Sequence, residues 1–244
     1  MIKKGKIIAI SSTKGGPGKT TLAGCLGDSL SILGYKVAFL DVDPNQNLTH
    51  WVNKRKQVRA EEGAGPEEAF MGVTLETQPE DEQIVKDCRR LAQTHDFVIV
   101  DVAGVKSQSL YVAAGAASLV IIPATPSEDD IKEAIKTKKI VSSAAEMISS
   151  RLGQDVEITT RILLNATQTN TVVHEHVARE LERHKFPVFK TTIGFRTIFR
   201  KARFIGSTPM RVEPNGTGSL EIMKLADEVV SILADERDSL KIAS

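Results

Sequence analysis

Thr13-Lys14-Gly15-Gly16-Pro17-Gly18-Lys19-Thr20-Thr21 lies between an apolar run, Ile7-Ile8-Ala9-Ile10, and a helix-forming run from Leu22 to Leu33. A strand, a glycine-rich turn and a helix in that order make a phosphate-binding loop. The glycines let successive backbone N–H groups turn inward on an anion, and the helix N-terminus behind them adds its positive dipole end. Gly15, Gly16, Pro17, Gly18 and Thr21 are expected to line this cradle. Lys19 would reach the β- and γ-phosphates, and the Thr20 hydroxyl would hold Mg²⁺. The general pattern G-x-x-x-x-G-K-[ST] calls for glycine at position 13. Here that position is Thr13, and the loop has gained a second lysine, Lys14.

Outward from the loop, apolar runs of strand length alternate with segments of helical period. That alternation predicts an α/β fold, a doubly wound, mostly parallel sheet with helices on both faces. Strands are expected at 6–11, 37–41, 73–78, 97–101, 119–123 and 160–165, with a shorter one near 188–192. Helices are expected at 19–33, 82–94, 107–116, 129–150, 172–184 and 220–234. Gly34 stands where a helix C-cap glycine belongs, and Ser127 stands as an N-cap ahead of three acidic residues. The stretch 59–72, rich in Glu and Gly, reads as an excursion between strands. No internal repeat and no second domain is evident, so 1–244 is expected to form one domain.

Composition excludes several classes. Hydrophobic residues make up 41% and charged residues 26%, as in ordinary globular chains. No apolar run is long enough to span a bilayer. The basic start, Met1 to Lys6, lacks the apolar core of a signal peptide, so a cytoplasmic location is expected. Cys25 and Cys88 are isolated and read as core residues, not as a disulfide framework or metal site. His174 and His176, two apart on an expected helix, do not share a face and read as surface residues. The net charge of +1 hides an asymmetry. From Arg183 to Val212 there are eight cations and no acid, which leaves the rest of the chain at about −7.

The doubled lysine resembles the deviant Walker A motif, K-G-G-x-G-K-T, of the ParA/MinD superfamily of dimeric P-loop ATPases. The resemblance implies that Lys14 reaches across a dimer interface to the nucleotide of the partner subunit, giving a homodimer with ATP sandwiched between its halves. The chain opens almost directly on the loop strand, so no N-terminal DNA-binding domain is expected. In this it is closest to the short ParA-type plasmid partition ATPases.

The carboxylates follow in the order the family requires. Asp41-Val42-Asp43-Pro44-Asn45-Gln46 resembles the family's D-x-D-P-Q segment, with Asn45 where the family usually has Gln. By position, Asp43 orients or activates the attacking water, and Asp41 contacts Mg²⁺ through water. Phe97-Val98-Ile99-Val100-Asp101 has the form of a Walker B strand that delivers Asp101 to the metal. Gly104 follows and could offer its N–H to the γ-phosphate. Asn165 ends another apolar strand; the resemblance sets it beside adenine, and a structural strand-end Asn is the alternative. No aspartate follows it to accept from a guanine edge, so ATP is favoured over GTP.

Cargo is the least determined. Arg196, Arg200, Lys201 and Arg203 alternate with phenylalanines near the C-terminal end, and Lys54-Arg55-Lys56 forms a second basic cluster. Such cations give sequence-independent DNA affinity, although a solvated face over core aromatics would read the same way. The resemblance favours non-specific DNA, hence association with the nucleoid in the ATP state, and a ParB-like adaptor that stimulates slow hydrolysis. A plasmid is the first choice of cargo; a microcompartment, a protein cluster or transfer DNA is the alternative. A MinD-like membrane ATPase would end in a basic amphipathic helix, whereas this tail is acidic. A ligase of the same superfamily would generally lack Lys14.

Overall fold

The computed structural model describes residues 5–61, 73–77, 80–104, 108–168, 177, 181 and 186–242, without the side chains of 59, 60 and 235–242. In chain order the described elements are β1 (Lys6–Ile10), α1 (Lys19–Ile32), β2 (Val37–Asp41), α2 (Asn47–Glu61), β3 (Thr74–Thr77), α3 (Asp81–Leu91), β4 (Phe97–Asp101), α4 (Gln108–Ala116), β5 (Leu119–Ala124), α5 (Glu128–Leu152), β6 (Thr160–Leu164), α6 (Thr197–Phe204), α7 (Pro209–Val212) and α8 (Thr217–Ile242).

The strands pair in parallel in the order β3-β2-β4-β1-β5-β6. Alternate residues of each strand face opposite ways, so the sheet has two apolar faces, each needing a cover. Ile8, Ile10, Phe39, Ile99, Ile121 and Leu163 pack under α1, α2 and α8, through residues such as Leu26, Trp51 and Leu225. Ile7, Ala9, Leu40, Val100, Ile122 and Leu164 pack under α3, α4 and α5, through Ile84, Leu110 and Ile131. Cys25 and Cys88 are free and fall in these two separate cores. Gly34 has φ +89 just after α1, and the Ser127 hydroxyl accepts the Asp130 N–H at 3.2 Å to cap α5.

Three differences from the sequence expectation have physical causes. The expected strand near 188–192 is only a bridge between Ile162 and Val188. The N–H groups of Lys190 and Thr191 donate to the Glu228 carboxylate of α8, at 2.8 and 2.9 Å, and so leave the ladder. Helix α2 is hidden in the sequence because its buried apolar residues, Leu48, Trp51 and Val52, sit together at its start and the rest of the stretch is largely polar. Helix α6 is hidden in the basic segment, yet its Ile198 and Ala202 are buried four apart. Of the helix expected at 172–184, only Val177 and Leu181 are described, both buried. His174, His176 and residues 62–72 lie outside the described residues.

Candidate functional site

Register brings the site together. Ile10 of β1 and Asp41 of β2 both lie level with Asp101 of β4, so three strands end side by side, and the loop leaves from one of them. This is the C-terminal edge of a parallel sheet, where open α/β folds bind ligands. Gly16 and Gly18 take φ of +100 and +89, conformations that let the loop fold inward before α1. The Thr13 hydroxyl bonds Glu133 Oε2 at 2.7 Å and lies 3.2 Å from the Thr137 hydroxyl, while its N–H donates to Thr137 Oγ1 at 3.1 Å. A threonine in place of the usual glycine therefore ties the loop to α5.

Lys19 lies within the loop it follows. Its Nζ donates to the Lys14 carbonyl at 3.0 Å. Burial lowers its pKa, and the charges of Asp101 and Asp43 oppose that fall. A Cβ built on Gly104 would stand 2.6 Å from Lys19 Nζ and 2.9 Å from the Lys14 carbonyl oxygen, so glycine is needed for the backbone to approach here.

The three aspartates differ. Asp101 is fully buried, and neither of its oxygens has a hydrogen bond of good geometry. Burial raises its pKa to about 7, with the Thr20 hydroxyl and Lys19 pulling down and Asp41 adding to the rise. Asp41 is also buried, and burial raises its pKa against the pull of its bonds. It caps α2, with Oδ2 accepting from the Thr49 N–H and hydroxyl at 2.9 and 2.8 Å, and Oδ1 accepting from the Asp43 N–H at 3.2 Å. Asp43 is half-buried, and its Oδ1 accepts from the Asn45 N–H at 2.9 Å and side-chain amide at 3.0 Å. The residue that departs from the family pattern thus holds the Asp43 carboxylate in place.

An unpartnered buried carboxylate beside a hydroxyl on a phosphate loop fits a divalent cation. Mg²⁺ commonly takes one or two carboxylates and completes its shell with water and phosphate oxygens. Among the described residues, no group of three His, Cys, Asp or Glu side chains gathers to hold a metal alone. Thr20 and Asp101, with Asp41 behind them, would therefore hold the ion together with the ligand.

Lys14 points away from this centre. Its Nζ meets Asp130 Oδ1 at 2.7 Å, with the lysine side chain 46% exposed. Burial pushes the Asp130 pKa up, but bonds from Lys14 and Thr125 outweigh it and the net shift is downward. Beside the loop a slot of about 160 Å³ is lined by Pro17, Gly18, Asn165, Ile193, Phe195 and Phe199, among others. The Asn165 amide donates to the Pro17 carbonyl at 2.7 Å and so reaches the loop from the end of β6. Ala166 next to it has φ +52, a left-handed conformation that an alanine rarely adopts.

The cations of the basic segment differ in what surrounds them. Arg196 is not a free cation: its Nε and Nη2 clasp Glu221 at 3.0 and 2.7 Å. Arg203 turns inward, its guanidinium 5.5 Å from the Trp51 ring centre and its Nη1 3.3 Å from the Thr21 hydroxyl. Arg200 lies over the Phe195 ring at 5.2 Å and lines the slot. Lys201 stays exposed on α6. Lys54 of α2 joins it, with Nζ 4.8 Å from the Phe204 ring centre. Two clusters far apart in sequence therefore meet on one surface through Lys54 and α6, while Lys56, two residues on along α2, is exposed on a different face of the helix. Sequence reasoning missed Glu133 and Asp130 as the partners of Thr13 and Lys14 in the loop, and Phe195 and Phe199 as the wall of the slot. The aromatic spacing of four is visible in the sequence, but the charges around it mask its meaning.

The CobQ/CobB/MinD/ParA nucleotide binding domain family matches residues 8–226. Protein ParA of Rhizobium radiobacter is 31% identical over 63% of this chain; the match spans 64% of that protein's length. Maintenance of carboxysome distribution protein A of Halothiobacillus neapolitanus is 26% identical over 91% of this chain and 95% of its own. A solved ATP complex of Cyanothece McdA superposes with a TM-score of 0.71 at 20% identity, covering 94% of this chain and 97% of that one. That likeness shows the shared fold.

Proposed function

The chain belongs to the CobQ/CobB/MinD/ParA nucleotide-binding family, and from that premise we propose that it is a ParA-like ATPase that dimerises on ATP, binds DNA without sequence preference and positions a cargo. The observation that carries the reading is the pairing of two lysines in one loop. Lys19 is buried against the site, and Lys14 is held at its rim. The Lys14 end of its ion pair with Asp130 is half exposed, so water screens the attraction. The lysine can therefore leave Asp130 at little cost and meet the nucleotide of a second copy.

Within one site, Lys19 and the loop N–H groups would neutralise the β- and γ-phosphates, and Gly104 would close over them. Asp43, held by Asn45, would orient the attacking water. Mg²⁺, which Thr20 and Asp101 would hold with Asp41 behind them, would supply charge neutralisation for the phosphates. Such catalysis is positioning and electrostatics, and Lys14 brings a point charge where a guanidinium would bring a fork. Turnover is accordingly slow until an adaptor intervenes. The slot walled by Phe195 and Phe199 would take the base, with Asn165 at its edge.

Lys201 and Lys54 support a DNA surface on the α2–α6 face. Plasmid DNA remains the first cargo on the likeness to ParA. The match to the carboxysome distribution protein over nearly its whole length supports a protein assembly as the second reading. The test is retention of unrelated duplexes by protein with ATP and Mg²⁺, with ADP, and without nucleotide. Retention with ATP alone, falling steeply with salt, is expected. Absence of binding at low salt with ATP would remove the DNA switch.

A further inference from the structure

A second surface lies on the opposite half of the helical layer from Lys14. A groove of about 1160 Å³ runs between α3, α4 and α5, lined by Val85, Tyr111, Val112, Ile140, Met147 and Leu152 among others. Helix α4 forms its floor because it is short and carries Gly115, where a Cβ would come 3.1 Å from the Ile148 side chain. Tyr111, Met147 and Leu152 remain 39%, 51% and 61% exposed, so the groove is an apolar surface without a cover among the described residues. Its volume exceeds the roughly 300–1,000 Å³ of small-molecule pockets. From Ile140 to Leu152 is about 18 Å along α5, the length of about 12 helical residues.

Charge identifies the occupant. Arg89 and Arg151 line the groove, and no Asp or Glu does. Neither arginine has an ion pair among the described residues. By contrast, Arg90, one residue on, is paired with Glu76 and Asp87, and Lys132 and Lys136 earlier on α5 are paired with Glu128 and Glu133. We infer that this groove docks an acidic amphipathic helix of a partner protein, apolar residues inward and carboxylates on Arg89 and Arg151. Met147 lies 17 residues beyond Asp130, about 26 Å along α5. A partner here leaves the nucleotide edge and Lys14 uncovered. A basic peptide would meet like charge at both arginines and is excluded from this groove.

The test uses nucleotide-free protein, so its outcome is independent of the ATPase reading. The probe is a labelled synthetic helix of about 14 residues, with leucines on one face at three- and four-residue spacing and glutamates on the other. A second probe has every glutamate replaced by lysine. Fluorescence anisotropy should give saturable binding of the acidic probe, weakened about tenfold by Arg89→Glu with Arg151→Glu and also by Met147→Glu. The lysine probe should bind only the charge-reversed variant. Circular dichroism checks that the variants, all altered at exposed side chains, remain folded. Failure of the acidic probe to bind, or equal binding of both probes to the unaltered protein, overturns the proposal. So does concentration-dependent dimerisation lost in Met147→Glu, which would make the occupant a second copy. Binding to phosphatidylglycerol vesicles lost in that variant would assign the face to a membrane and overturn it equally.

Discussion

Replacing Asp101 by asparagine should make the empty protein more stable while disabling it. Asp101 is fully buried without a well-formed hydrogen bond, and burial moves its pKa from 3.8 to about 7. Each pKa unit is about 1.4 kcal/mol, so ionising this carboxyl costs the folded state about 4 kcal/mol relative to the unfolded chain. The sign follows from proton counting. Between about pH 4 and pH 7 the folded protein holds the proton that the unfolded chain has lost, so stability falls as pH rises through that window and levels off above it. The substituted side chain would carry no charge but would leave a buried amide unsatisfied, at about 1–3 kcal/mol. The balance is a gain of about 1–3 kcal/mol near pH 8 that shrinks as pH is lowered towards 4. Urea unfolding of metal- and nucleotide-free protein in EDTA, across that pH range, measures it. Asp101→Asn proving less stable than the unaltered protein near pH 8, or an unaltered protein with no such pH slope, would refute the electrostatic reasoning. Mg²⁺-dependent nucleotide affinity should be lost in the same variant.

Other expectations rest on single contacts. Lys14→Ala should abolish the ATP-dependent dimer in sedimentation while nucleotide binding survives; an intact ATP dimer would remove the trans role of that lysine. Asp28→Ala should cost about 3–5 kcal/mol in urea unfolding, because Asp28 is fully buried, receives Arg211 at 2.6 Å and bonds the Thr208 hydroxyl. Lys54→Glu with Lys201→Glu should lower the salt slope of DNA binding by about two units, whereas Arg196→Ala should act mainly on stability through Glu221. Gly24→Ala should destabilise by about 1–3 kcal/mol, since its new Cβ would stand 2.2 Å from the Trp51 ring. A neutral thermal shift would show that the ring yields.

The sheet was legible because five of its six strands are runs of buried apolar residues, and several of those runs close near a residue with chemistry, such as Asp41, Asp101 or Asn165. The loop was legible because it is contiguous. What escaped depended on long-range partners. Nothing near Lys190 announces that Glu228 takes its N–H and ends a strand, and nothing near Arg196 or Arg203 names Glu221 or Thr21 as their destinations. Net charge along a segment could not distinguish a cation spent on an internal carboxylate from one left facing water. Lys201 and Lys54, the cations that meet outside, lie almost 150 positions apart.

Trp51 is the chain's one tryptophan. It is buried at the joint between α1 and α2, against Gly24 and under the Arg203 guanidinium, which in turn touches Thr21 beside the phosphate loop. An indole in that place is an optical gauge already built into the molecule. Any movement passed from the loop to α6 must change the field of the cation over its ring. Its emission therefore offers a label-free, real-time record of how nucleotide is sensed, read from a single residue with no competing chromophore of its kind.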